Sequence, residues 1–117
     1  MQVTTPMSEA LNRYLDLASD QMKLTAGNMA NVDTPGYKTQ GFDFDREFQS
    51  QLDGMSQGSF TTAGDVDGLV SRPDGNNVSM DRESLQLAKT QLQFRTAVEL
   101  LKHQYSTVMS AIHAETK

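Results

Sequence analysis

From about Met7 to Val32 the apolar residues follow a 3/4 alternation at Ser8, Leu11, Leu15, Ala18, Met22, Thr25, Met29 and Val32, six of the eight apolar. Residues at that spacing share one stripe of an α-helix, so the pattern predicts an amphipathic helix over 7–33, preceded by a flexible 1–6. Ala10, Leu17 and Leu24 form a second row at seven-residue spacing, and Met7 and Tyr14 a short third one. This helix therefore carries apolar residues on more than one face. A longer run follows near the other end. Met80, Ser84, Leu87, Gln91, Phe94, Val98, Leu101, Tyr105, Val108 and Ile112 keep the 4/3 alternation, eight of the ten apolar. Ser79 is a fitting N-cap, Asp81 and Glu83 put negative charge in the first turn, and no Pro or Gly occurs from 79 to 115. A helix over 79–115 would be on the order of 55 Å long. Leu85 and Leu92 add a flanking row to its first half.

Between these runs, 34–78 is a turn followed by a different material. Six of the eight glycines lie between Lys38 and Val78, with Pro73 and a scatter of Asp, Ser, Gln and Asn. Ser59-Phe60-Thr61-Thr62 and Leu69-Val70-Ser71 are short strand candidates; order gained only on assembly is the alternative. The expected fold is mainly α, a single structural domain. Two long terminal helices pack as an antiparallel, coiled-coil-like hairpin around an irregular or small-β middle. A two-helix hairpin cannot bury several apolar faces, so the surplus rows point to a subunit that completes its packing in an assembly. An ordinary helical hairpin with an untidy surface is the plainer alternative.

Composition narrows the partners. Ten basic against fifteen acidic residues give a net charge of −5, and no Lys/Arg cluster is present, which argues against a nucleic-acid partner. The mean hydropathy of −0.53 is low for a self-sufficient core, and seven Met suit seams shared between subunits. There is no cysteine, so disulfides and thiolate metal sites are excluded. The first residues, Met1 to Pro6, have neither a basic nor an apolar region of the kind a cleaved signal needs.

Catalytic chemistry finds no foothold. Asp43, Asp45 and Glu47, and separately Asp65 and Asp67, suggest calcium, but a loop counted from Asp65 has Val70 where glycine is required and Asn76 where the bidentate Glu belongs. His103 and His113 stand ten apart on one helix without a carboxylate cluster at ligand spacing. No nucleophilic triad, phosphate-cradling loop or carboxylate pair can be made out. No cofactor, metal or small-molecule substrate is expected.

Two strings remain. Asn28-Met29-Ala30-Asn31-Val32-Asp33-Thr34-Pro35-Gly36-Tyr37-Lys38 stops a helix sharply, because Pro35 cannot continue it and Pro35-Gly36 fits the centre of a type II turn. Asn28 and Asn31, on one face, can bond carbonyls at the helix end or on a neighbour. Asp74-Gly75-Asn76-Asn77-Val78-Ser79-Met80-Asp81-Arg82-Glu83 reads as a turn followed by a helix cap. The first string closely resembles the N-terminal signature of the flagellar axial proteins, in which Asn-x-Ala-Asn leads into Thr-Pro-Gly-Tyr-Lys. The second resembles, through Asp74, Gly75, Asn76, Val78, Asp81 and Glu83, the lead-in to the C-terminal helix of proximal rod subunits, and a related lead-in occurs in a neighbouring rod protein. The resemblance covers both terminal thirds; the middle is short for the family and matches little.

The resemblance implies a structural subunit of the flagellar basal-body rod in the periplasm, exported without a cleaved signal. Its partners would be itself, other rod proteins, and ring and export-gate components. It implies that the two helix seams and the turn from Asn28 to Lys38 are assembly contacts in a helical tube that surrounds the export channel and transmits torque. Phe44-Asp45-Arg46-Glu47-Phe48 has the Phe-x-x-x-apolar form of an export-gate motif, with Phe44 and Phe48 as its apolar ends. Two Phe packing on one side of a short helical turn is the alternative. The rival to the whole reading is a cytosolic two-helix adaptor or regulatory coiled coil.

Overall fold

Thr5 and Ser8 start the first helix by capping each other: the Ser8 N–H donates to Thr5 Oγ1 at 3.1 Å and the Thr5 N–H to Ser8 Oγ at 2.8 Å. Pro6 follows at the first helical position, where its missing N–H costs nothing. Helix α1 thus spans Pro6–Ala30, in a computed structural model that describes residues 5–54 and 63–115. A second long helix, named α3 in chain order, spans Met80–Glu115. Ser79 Oγ accepts from the Arg82 N–H at 3.3 Å at its start.

The two helices run antiparallel. Asn28 near the end of α1 bonds Glu83 near the start of α3, while Gln104 Nε2 donates to Thr5 Oγ1 at 3.3 Å at the opposite end. Residues 105–115 of α3 therefore extend past Thr5, an overhang of about 16 Å at ~1.5 Å per residue. The molecule measures 70 × 27 × 18 Å. Among the described residues, no helix is long and apolar enough to cross a membrane.

The middle segment is more ordered than its composition suggests. Strand β1 (Gln40–Gly41) pairs antiparallel with β2 (Gly64–Asp65), Gln40 opposite Asp65 and Gly41 opposite Gly64. Between them lies a ten-residue helix, α2 (Phe44–Asp53), whose N-cap Asp43 accepts from the Arg46 N–H at 3.3 Å. The small β element thus exists, at other residues than the candidates. Leu69 to Ser71 are not in a strand, and Ser59 to Thr62 lie outside the described residues. The two strands are too short and too rich in Gly for period-two alternation to show them.

The interior is mostly polar. Among the described residues only Leu17, Ala18, Val78 and Ala97 are buried apolar side chains, against ten buried polar ones. Of the expected α1 seam, Ser8, Ala18 and Thr25 are buried and Leu11, Leu15, Met22, Met29 and Val32 half-buried, and Leu17, Gln21 and Asn28 are buried beside them. On α3, Leu87, Phe94, Val98, Leu101, Val108 and Ile112 are half-buried, while Met80, Ser84, Gln91 and Tyr105 are exposed. The fully buried positions of α3 are Glu83, Thr90 and Ala97, all one step from members of the expected seam.

Candidate functional site

The two strings singled out in the sequence meet in space. Asn31 closes the end of α1, its Nδ2 donating to the Gly27 carbonyl at 2.7 Å and its Oδ1 accepting from the Thr34 hydroxyl at 3.0 Å. The chain then reverses at Thr34-Pro35-Gly36-Tyr37. The Tyr37 N–H donates to the Thr34 carbonyl at 3.2 Å, and Gly36 has φ +76°, the features of a type II turn. Gly75 in the second string also has positive φ, +88°, and lies back to back with Gly36. A Cβ on Gly75 would stand 3.3 Å from Gly36 Cα, so the approach of the two loops requires glycine there. The Gly36 N–H donates to the Asp74 carbonyl at 2.9 Å across this contact.

Three asparagines carry the junction, each by acting as a stand-in for backbone. Asn28, fully buried, makes four bonds. Its Nδ2 donates to the Gln40 carbonyl at 2.8 Å and to Glu83 Oε2 at 3.1 Å. Its Oδ1 accepts from the Gln40 N–H at 2.9 Å and from the Tyr37 hydroxyl at 3.0 Å. The paired bonds to Gln40 make the carboxamide an extra rung on β1. Asn76 Nδ2 donates to the carbonyls of Asn31 and Thr34, both at 2.8 Å, which caps the end of α1 from 45 residues away in sequence. Its Oδ1 accepts from the Val78 N–H at 2.8 Å. Asn77 Oδ1 accepts from the Thr39 N–H at 2.7 Å, and its own N–H donates to the Tyr37 carbonyl at 3.2 Å.

Positive charge completes the clasp. The last turn of α1 contains no basic residue, and Arg72 supplies one from outside, bonding the Val32 carbonyl and, at 2.8 Å, the Val78 carbonyl. This meets the negative end of the helix dipole. Lys38 Nζ bonds the Gly75 carbonyl and, at 3.2 Å, Ser71 Oγ. Glu83 is fully buried between Asn28 and Arg82, with which it forms an ion pair. Among the described residues, no buried side-chain polar atom lacks a partner, which is what makes so polar an interior affordable. Burial and then the Glu83 charge raise the Tyr37 phenol above its usual value. Of the remaining signature residues, Ala30, Asp33, Thr34, Pro35 and Asp81 are exposed.

A second cluster fixes α2 on α1. Phe44 and Phe48, one turn apart, set their rings edge-on to Tyr14, at centroid distances of 4.8 and 5.2 Å. Burial is also the main cause of a raised Tyr14 pKa, with Asp45 adding to it and a bond with Gln93 opposing it. Phe44 and Phe48 are half-buried in this packing. Nothing in the sequence pattern had joined Tyr14 to them; its place outside the main apolar row of α1 was the available signal.

Elsewhere the long helices leave large apolar side chains in solvent. Leu85 is 72% exposed and Leu92 65%, and Met7, Met80, Leu100 and Met109 are also exposed. His103 and His113 are exposed on α3. Among the described residues, no group of three or more acidic, His or Cys side chains is placed to hold a metal ion.

Comparison with known proteins yields a consistent set of relatives. The chain is 31% identical to the flagellar basal body rod protein FlgB of Yersinia ruckeri, over 84% of this chain and 87% of that protein. It is 26% identical to FlgB of Aeromonas hydrophila, over 98% and 99% of the two chains. It is 27% identical to FlgB of Bacillus subtilis, over 87% and 89%. No protein-family model matches the chain.

Proposed function

The chain belongs to the FlgB family of flagellar basal body rod proteins, structural subunits rather than enzymes, and from that premise we propose how it builds a rod. Its two terminal helices pair within the subunit and pack laterally on those of its neighbours, forming a helical tube around the export channel at the proximal end of the rod. The observation that carries this reading is the exposure of Leu85, Leu92, Leu100 and Met109 on a helix whose inner face is already occupied by α1. Apolar side chains on several faces supply the many distributed contacts that torque transmission requires. The neighbours are further copies of this chain and other rod proteins, with ring and export-gate components at the base.

Export precedes assembly. The chain crosses unfolded, and Phe44 and Phe48 serve as the export-gate motif in that state. In the folded subunit both rings pack on Tyr14, so a gate that reads them must do so before α2 docks.

The test separates folding from assembly. A Leu85→Ser, Leu92→Ser double variant should keep the helix content of the parent by circular dichroism. Expressed in a strain lacking this gene, it should leave cells non-motile, with basal bodies that lack a complete rod by electron microscopy. Normal motility with intact rods would overturn the proposed packing face.

A further inference from the structure

Hydrophobicity alone does not explain the way α3 is turned. Two rotations of this helix share Leu87, Phe94, Leu101 and Val108 at the contact with α1. They differ in the second row. The structure uses the row Glu83, Thr90, Ala97 and Gln104: the first three are buried, and Gln104 reaches Thr5. The other rotation, about 50° away at ~100° per residue, would use Ser84, Gln91, Val98 and Tyr105. That row contains two bulky apolar side chains and no charge, so burial of apolar surface favours it. Yet Ser84, Gln91 and Tyr105 are exposed, Val98 is only half-buried, and a carboxylate is buried instead.

What distinguishes the observed rotation is the clasp. Glu83 is held by Asn28, and Asn28 is fixed in turn by both backbone groups of Gln40 and by the Tyr37 hydroxyl. Turning α3 to the more apolar seam would draw Glu83 away from Asn28 and strand a buried donor, which is expensive in a site from which water is excluded. We infer that the Asn28–Glu83 bond is a rotational lock, which selects the less apolar of two helix pairings and thereby keeps Ser84, Gln91 and Tyr105 outward. A single buried polar contact specifying helix register at a cost in stability is a known device of coiled coils. The inference concerns the free subunit and stands apart from the rod reading.

The test uses thiol labelling of the full chain, which contains no cysteine of its own. Thr90→Cys and Gln91→Cys are introduced separately; the Thr90 hydroxyl bonds only groups of α3, so neither change touches the clasp. With the clasp intact, the thiol at 90 should label about a hundred-fold more slowly than that at 91, as expected for an opening-limited site against an open one. In Asn28→Ala and in Glu83→Ala, helix content should persist by circular dichroism, because an apolar seam remains available. The two labelling rates should then approach one another or reverse. Retained slow labelling at 90 in either helical variant would overturn the lock. So would equal rapid labelling of both thiols in the parent background, or loss of helix content in both clasp variants, since a lock of rotation alone leaves the pairing possible.

Discussion

The two ends of the helix pair are built from different materials. At the clasped end, α1 stops and α3 starts within a network of carboxamides, glycine turns and one buried carboxylate, where Asn28, Asn76, Thr39 and Glu83 are all fully buried. At the other end α3 runs on past Thr5, with Tyr105 at 42% and Met109 at 52% exposure. Polar bonds are directional and need every partner in place, so the clasped end specifies one arrangement. Apolar surface is non-directional and accepts whatever covers it, so the overhanging end specifies little without a neighbour. In one small subunit, fidelity of shape and capacity for assembly are thus separated along the helix axis.

Breaking the clasp should have the largest effect. Asn28→Ala removes four hydrogen bonds and leaves Glu83 short of a partner, so it should lower stability by about 3 kcal/mol in urea unfolding. A loss below ~0.5 kcal/mol would show that the clasped end is no more specified than the free one. Next in size, the glycine contact can be probed by Gly75→Ala, which forces a Cβ into a φ of +88° and against Gly36. It should cost about 1–2 kcal/mol, whereas Gly27→Ala, in the last turn of α1 with nothing within 4 Å of its Cβ, should stabilise by up to ~1 kcal/mol. Equal shifts in the two thermal midpoints would contradict this contrast.

A smaller effect is set by pH. Because Tyr37 has a raised pKa in the folded chain, the fold holds its phenolic proton more tightly than the unfolded chain does. Its contribution to stability is therefore full below the unfolded value near ~10 and is lost as pH rises through the higher folded value. Tyr37→Phe should flatten that alkaline loss of stability, followed by circular dichroism between neutral pH and pH of about 11. An unchanged alkaline slope would remove Tyr37 from the coupling. Smallest of all, Tyr105→Ser and Met109→Ser on the overhang should change the stability of the free subunit by no more than ~0.5 kcal/mol. A large loss would mean that these side chains are packed within the subunit after all.

Much of this frame was legible in the chain itself. The 3/4 spacing of Leu11, Leu15 and Ala18, and of Leu87, Phe94 and Leu101, marks both helices, since a repeat near 3.6 has no other regular use. Pro35-Gly36 and Ser79 mark where one ends and the other begins. Thr5-Pro6 would have placed the start of α1 as well, because a hydroxyl cap before a proline is a local signal. Helix α2 was harder to see, as ten residues with Phe44, Phe48 and Leu52 among charges carry too short a period. The bond of Asn31 to a carbonyl at the helix end was legible, but the distant partners were not, since Asn76 reaches Asn31 and Thr34, and Asn28 reaches Glu83, across more than forty residues.

The sequence by itself determined the two helices, their stops and caps, and the surplus of apolar rows, because each depends on neighbours within a few residues. Only the tertiary structure decided which rows face inward. Apolar spacing permits two rotations of α3, and the choice falls to long-range bonds such as that between Asn28 and Glu83. A hydrogen bond has a partner and a direction, and neither is written in the periodicity of a helix.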